Sequence, residues 1–254
     1  MMNESGTVNR VMKLISLLAD HSDITAKQAA LNLGWPISTT HRLLRTLSAA
    51  EFATQKGPGL FAPGLELYRI AGRLSVAVPY AQIGEPLLAS LSERFGETSL
   101  LSVLERKQLK MYIASSAAPK DPMRYTIDLN RRVSIVWGAS GRALLAHLLP
   151  EEVDRAIAIC DETDARGRGI DLPELQASLQ AVRENGYAMT ESHRVLHAVG
   201  VAVPFFGVQG EVVGSVAFQV PEFRFNIARV PEYVRVLKET AAVIAQRIGS
   251  ATEG

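Results

Sequence analysis

One cysteine, Cys160, stands among the 254 residues, which excludes an intramolecular disulfide framework and fits a reducing cytosol. No apolar run reaches the ~18 residues that a membrane-spanning helix needs. The first residues, Met1 to Thr7, lack the basic-then-apolar order of a secretory signal. Internal repeats and low-complexity segments are missing too. A cytoplasmic protein with no membrane partner is the expectation. What remains is ordinary globular composition, 47% hydrophobic and 21% charged, at a length that suits one large domain or two smaller ones. Net charge is also nearly absent, at +1, until the chain is split. Residues 1–75 hold eight basic and five acidic residues, a net +3, against 19 and 21, a net −2, in the rest. The sign suits a nucleic-acid-binding head on a neutral body, although many innocuous domains carry as much.

The head reads as three helices and a hairpin. Val8, Val11, Met12, Ile15 and Leu18 keep helical spacing behind Thr7 as N-cap. Thr25-Ala26-Lys27-Gln28 has the form of a capping box, Ala29, Ala30 and Leu33 give that helix a buried side, and Gly34 ends it before Trp35-Pro36. A third helix from Ile37 or Ser38 to about Ala50 buries Thr40, Leu43, Leu44 and Leu47 and turns Ser38, His41, Arg42 and Arg45 outward. Two helices about a glycine turn, the second polar and basic outside, form a helix-turn-helix pattern. Ser38 and Thr39 at the helix start suit phosphates, Arg42 and Arg45 suit phosphate or guanine edges, and His41 can reach a base edge. Glu51 to Gln55 and Leu60 to Pro63 alternate as strands about Lys56-Gly57-Pro58-Gly59, a wing with Lys56 near its tip as a phosphate contact. The same surface also reads as a plain solvated face.

Several blocks in order carry a resemblance: Val8 to Ile15, Leu33 to Leu47, Pro63 to Leu67, Gly141 to Ala146, Val182 to Ala188 with Glu191, Val201 to Pro204, and Gly210 to Gly214. Together they resemble IclR-type bacterial transcription regulators over nearly the whole chain. The resemblance implies an α+β protein with an N-terminal winged helix-turn-helix domain (1–66), a linker helix (67–80) and a C-terminal GAF-like effector-binding and dimerisation domain (81–254). Glu51 stands where the family usually has glycine, Ile135 where proline is common, Gly200 where a small thiol or hydroxyl is common, and Ala217 and Gln219 where serine is frequent.

In the body, Leu65 to Val78 and Ile83 to Phe95 keep helical spacing on either side of Pro79. Thr98–Leu104 with Leu109–Ala114, and Val199–Phe206 with Val212–Val220, read as paired strands. Helical spacing covers Arg142–Leu149, Pro150–Cys160, Leu172–Glu184 and Pro231–Ile248, with a central sheet between helices as the layer solution. Small residues at Val136 to Gly141 let a ligand approach backbone N–H groups at a helix start. Position by position, the resemblance implies a pocket lined by Ala139, Ser140, Thr190, Ala198, Gly200, Ala217 and Gln219. Met123, Ile127 and Trp137 stand nearby as an apolar wall, with Met123 and Trp137 reading equally well as plain core. A roomier, less polar cavity than the family's points to an aromatic or bulky organic effector.

Enzyme readings find less. Gly138-Ala139-Ser140-Gly141-Arg142 lacks the second glycine of a nucleophile elbow, and no phosphate loop or dinucleotide fingerprint follows a strand. His193 and His197, four apart with Glu191 nearby, would share a helix face as metal ligands in a metal-dependent enzyme or ligand-binding module. No third ligand is placed by sequence. Cys160 reads as an inert core thiol. The expectation is therefore a sequence-specific DNA-binding regulator, not an enzyme, with no cofactor and no catalytic or metal site. Its form is a repressor acting as a dimer or dimer of dimers on a pseudo-palindromic double-stranded operator, controlled by a small organic effector.

Overall fold

The computed structural model describes residues 6–75, 79–120, 125 and 127–252, and divides the chain into two compact units, 1–78 and 79–254. Unit one runs α1 (Thr7–Ala19), β1 (Ile24–Thr25), α2 (Ala26–Leu33), α3 (Ile37–Ala49), β2 (Ala53–Gly57), β3 (Leu60–Pro63) and α4 (Leu65–Ser75). Its three strands pair antiparallel in the order β1-β3-β2. Leu14, Leu18, Ile24, Ala29, Leu43, Leu44, Leu47 and Phe61 close the core beneath them.

The expected punctuation of the head is present in atomic detail. Thr25 Oγ1 accepts from the Gln28 N–H at 3.2 Å while Gln28 Oε1 accepts from the Thr25 N–H at 2.9 Å, a reciprocal capping box. Gly34 ends α2 in the left-handed region at φ 67°. The first helix differs from its expected pattern. Gly6, not Thr7, is the N-cap, and Val8 and Met12 lie on the exposed side while Leu14 and Leu18 are buried. Either stripe fits a 3.6-residue period there, and packing chose the one centred on the leucines. Glu51 and Phe52 are also not strand. The Phe52 N–H donates to Leu47 O at 2.9 Å and the Glu51 N–H to Ser48 O at 3.2 Å, a Schellman ending to α3 with Glu51 at φ 61°.

Unit two runs α5 (Pro79–Phe95), β4 (Thr98–Glu105), β5 (Lys110–Ala117), β6 (Val133–Ser134), α6 (Gly138–Leu145), α7 (Pro150–Ala158), α8 (Leu172–Asn185), β7 (Ala188–Glu191), β8 (Ala198–Phe206), β9 (Val212–Pro221) and α9 (Val230–Thr252). The strands form one antiparallel sheet, β6-β5-β4-β9-β8-β7. Strand alternation splits the core between its faces. Leu101, Val201, Val203, Val216 and Phe218 pack with Leu88, Phe95, Tyr233, Leu237 and Ile244 of α5 and α9. Leu100, Ala188, Ala202 and Ala217 pack with α6, α7 and α8 on the other face. This is a sheet between helical layers, the GAF-like architecture. Two expected boundaries move: α6 begins at Gly138, four residues before the periodic stretch, and the segment carrying His193 and His197 is a loop between β7 and β8.

The Schellman ending makes a prediction. A left-handed residue with a Cβ costs about 1–2 kcal/mol, while glycine's extra chain entropy costs about 0.5–1 kcal/mol. Removing an acid from the negative end of α3 acts in the same direction. Glu51→Gly should therefore raise the head's unfolding free energy by about 0.5–1 kcal/mol in urea titration. A lower midpoint would contradict the strain assigned to this position.

Candidate DNA-contacting face and effector pocket

On α3 the four buried side chains, Thr40, Leu43, Leu44 and Leu47, lie on one stripe, leaving Ser38, Arg42 and Arg45 exposed on the opposite one. Thr39 and His41 are half-buried at its flanks, and the His41 ring meets Phe61 of β3 edge-on at 5.9 Å. The helix starts at Pro36 with no side-chain cap, so its first N–H groups remain available. Lys56 is exposed beside the β2–β3 turn. Among the described residues no carboxylate pairs with Arg42, Arg45 or Lys56.

The pocket residues of the body come together through strand register. Thr190, Gly200 and Gln219 lie opposite one another across β7, β8 and β9, and Thr98 of β4 completes the row. Ala217 sits one pleat away opposite Ala202 and Leu100, and Ala198 one pleat the other way opposite Pro221. Above the row stands the first turn of α6. A Cβ placed on Gly200 would lie 3.0 Å from Ala139 Cβ, 3.7 Å from Ala139 N and 3.6 Å from Thr190 Oγ1. Ala139, Ser140, Thr190, Ala198 and Ala217 are all buried, and Gln219 Nε2 is buried with no hydrogen-bond partner. Ile127 is half-buried against the same core. Met123 lies outside the described residues. Sequence reasoning missed Thr98, whose place in the row depends on β4 pairing with β9.

Two arginines fix this junction. Arg142, 1% exposed, donates from Nε to Val136 O at 3.3 Å and makes a bidentate pair with Glu174 at 2.6 and 2.8 Å. Arg194 donates to Trp137 O at 3.2 Å, to Ser134 O, and to Glu162 at 2.5 Å. Trp137, buried in the core, donates its indole N–H to Glu162 O at 3.1 Å. A Cβ on Gly141 would fall 2.5 Å from Ile135 O, and one on Gly138 2.7 Å from Arg194 Cγ, so only glycine lets α6 fold back onto the junction.

The metal reading does not survive this geometry. His193 and His197 share no helix: the His193 ring stands edge-on to Trp137 at 5.5 Å, while exposed His197 reaches Glu222 at 3.1 Å. Among the described residues no three His, Cys, Asp or Glu side chains group to hold a metal. Cys160 is partly buried against the core, 3.3 Å from Ser134 Oγ.

Residues 7–57 match the IclR helix-turn-helix domain and residues 76–246 the C-terminal domain of the bacterial transcriptional regulator IclR. The chain belongs to the IclR family. This IclR-family protein is a DNA-binding transcription regulator with an effector-binding C-terminal domain. The transcriptional repressor AllR of Klebsiella pneumoniae is 28% identical over 222 residues, 87% of this chain and 81% of that protein. The crystal structure of an IclR transcriptional regulator from Silicibacter sp. superposes with TM-score 0.83 at 25% identity, covering 96% of each chain. An IclR homolog from Microbacterium hydrocarbonoxydans complexed with 4-hydroxybenzoate superposes with TM-score 0.75 at 22% identity, covering 96% of this chain and all of that one. No helix among the described residues is long and apolar enough to cross a membrane.

Two predictions come from the junction. Glu174→Gln leaves a buried guanidinium without its anion, a change that costs about 3–5 kcal/mol. Arg142→Met leaves the carboxylate of Glu174, whose side chain is 51% exposed, for water to solvate. In urea unfolding Glu174→Gln should be the more damaging; the reverse order would show that the hydrogen bond to Val136 O, not the charge, holds the junction.

The second concerns acid. Burial, helped by the Arg142 guanidinium, lowers the His193 pKa from 6.5 to about 4, and burial also lowers His147. The unfolded chain protonates at the ordinary value, so stability is intact above pH 6.5 and is lost as pH falls toward about 4. His193→Leu should flatten the decline in unfolding free energy across that window. An unaltered profile would remove His193 as its source.

Proposed function

We propose that this regulator represses transcription as a homodimer, or a dimer of dimers, bound to a pseudo-palindromic operator in the cytoplasm, and that an aromatic organic acid controls it. It acts by binding alone, with no catalytic step and no cofactor. The observation that carries the DNA contact is the pair of unpartnered cations, Arg42 and Arg45, on the exposed side of an uncapped α3. Ser38 and Thr39 with the first-turn N–H groups hold phosphates, Arg42 and Arg45 meet phosphate or guanine, and Lys56 holds a phosphate from the wing. His41 approaches a base edge from the flank that rests on Phe61.

The effector reading is supported by the unsatisfied Gln219 Nε2 above a floor of small residues, Ala198, Gly200 and Ala217, with Thr190, Ser140 and the α6 N–H groups as further donors. An unmet buried donor calls for an acceptor, and a floor without large side chains leaves room for a ring. Ile127 and Met123 close the apolar side, and Trp137 backs α6. The 4-hydroxybenzoate complex of the Microbacterium protein supports the same class. Residues 1–66 act as the reading head, 67–80 as the connecting segment and 81–254 as the sensor and dimerisation body. Effector binding changes the fraction of dimers competent for the operator.

Gel shifts on the gene's own upstream DNA across a salt series test this. Arg42→Ala and Arg45→Ala should each reduce the slope of log K against log salt by about 0.9. Among aromatic and aliphatic acids, 4-hydroxybenzoate should raise the thermal midpoint, and Gly200→Val, folded by circular dichroism, should lose that rise. Unchanged slopes reject the DNA assignment; a response confined to two- or three-carbon acids rejects the aromatic one.

A further inference from the structure

Ile37 is the only large apolar side chain of α3 left in solvent, at 53% exposure, while Leu43, Leu44 and Leu47 are each buried. It is the first residue of that helix, one turn before His41 and next to exposed Ser38. Neither folding nor capping calls for an isoleucine there: β-branched residues are mediocre helix formers, and an N-terminal position favours small polar groups or proline. Its stiff χ1 would lose little entropy on meeting a partner.

The surroundings select the kind of partner. Ser38, Thr39, Arg42 and Arg45 continue the surface from Ile37 with hydroxyls and unpartnered cations, which complements a polyanion and opposes an apolar protein face. The N-terminal residues of a recognition helix are those that meet base edges in the major groove. An aliphatic side chain offers no hydrogen bond, and the feature on that groove floor it can recognise is the C5 methyl of thymine.

We infer that Ile37 reads a thymine methyl in each half-site, so that the operator carries thymine where the start of α3 enters the groove. This rests on α3 being the element that enters the major groove. Ile37 then selects by shape and apolar contact, while Arg42 and Arg45 supply attraction and any guanine contact.

Duplexes enriched from a random pool by the full-length protein provide the test. Each is compared with the same duplex containing deoxyuridine for thymidine, first throughout and then one position at a time, which deletes only the methyl. The wild-type protein should bind the fully substituted duplex at least about fourfold more weakly, the factor expected for one buried methyl, with the loss traced to one or two positions per half-site. Ile37→Ala should bind the thymine duplex correspondingly weakly and no longer distinguish it from the uracil duplex. Ile37→Val should keep part of the discrimination. Equal wild-type affinity for both duplexes, or an Ile37→Ala variant that keeps the full uracil penalty, would overturn the assignment while leaving DNA binding intact. If no duplex is enriched and no salt-sensitive shift appears, the DNA-contacting role of α3 fails with it.

Discussion

Two buried guanidinium groups hold the backbone between Ser134 and Trp137, and the geometry of the sensor domain depends on that hold. The carbonyls of Ser134, Val136 and Trp137 turn into the interior where water does not reach them, and Arg194 and Arg142 supply the donors. Each cation is balanced at once, Arg142 by Glu174 and Arg194 by Glu162. Such pairs add little net stability, because desolvating the charges costs most of what their attraction returns. What they contribute is position. With its junction pinned and Gly138 and Gly141 permitting close approach, α6 is buried along its whole length and its first turn stands at one fixed height over Gly200.

Much of this was legible from residues alone, and the boundary of legibility is physical. Local signals survive folding: the Thr25–Gln28 box, Gly34 and the β2–β3 turn act within four residues of themselves, and the structure realises each. Signals requiring a choice between equivalent stripes do not. In α1 both Val8-Met12 and Leu14-Leu18 satisfy a helical period, and only the sheet above decides which is inward. The start of α6 was hidden for another reason: Trp137 to Gly141 has no polar face to give a periodicity, because every residue of that helix is buried. A charge within such a stretch is itself a signal, since a buried arginine must have an anion. Arg142 in Gly-Arg-Ala-Leu-Leu announces a partner without naming Glu174, thirty-two residues away.

The histidines show the opposite failure. A spacing of four suggested one helix face, yet the spacing carries that meaning only inside a helix. Ser192 and His197 both adopt positive φ, which no helix allows, and the loop sends the two rings to different neighbours. Glu51 is the converse case, a departure from the family's glycine at a site whose φ explains the glycine. Gly64 completes that corner: a Cβ there would stand 2.0 Å from Glu51 O. The corner thus keeps one of its two small residues and tolerates strain at the other.

The same bookkeeping of charges bears on which ligand the body suits. Arg142 and Arg194 are the cations nearest the α6 junction, and both are committed to carboxylates, so their fields largely cancel at the pocket. The donors left over are neutral: Gln219 Nε2, the hydroxyls of Thr190 and Ser140, and the N–H groups of the first α6 turn. Dipoles at a helix start stabilise about half an elementary charge of opposite sign, enough for one carboxylate shared with an amide. They do not offset the desolvation of a di- or tri-anion. On the proposed reading, then, the effector's binding free energy comes mainly from burying its apolar part over Ala198, Gly200 and Ala217, with a single acid group setting its orientation. A small diacid has the opposite balance, more charge to desolvate and less surface to bury, which is why the pocket's chemistry favours a ring carrying one carboxylate.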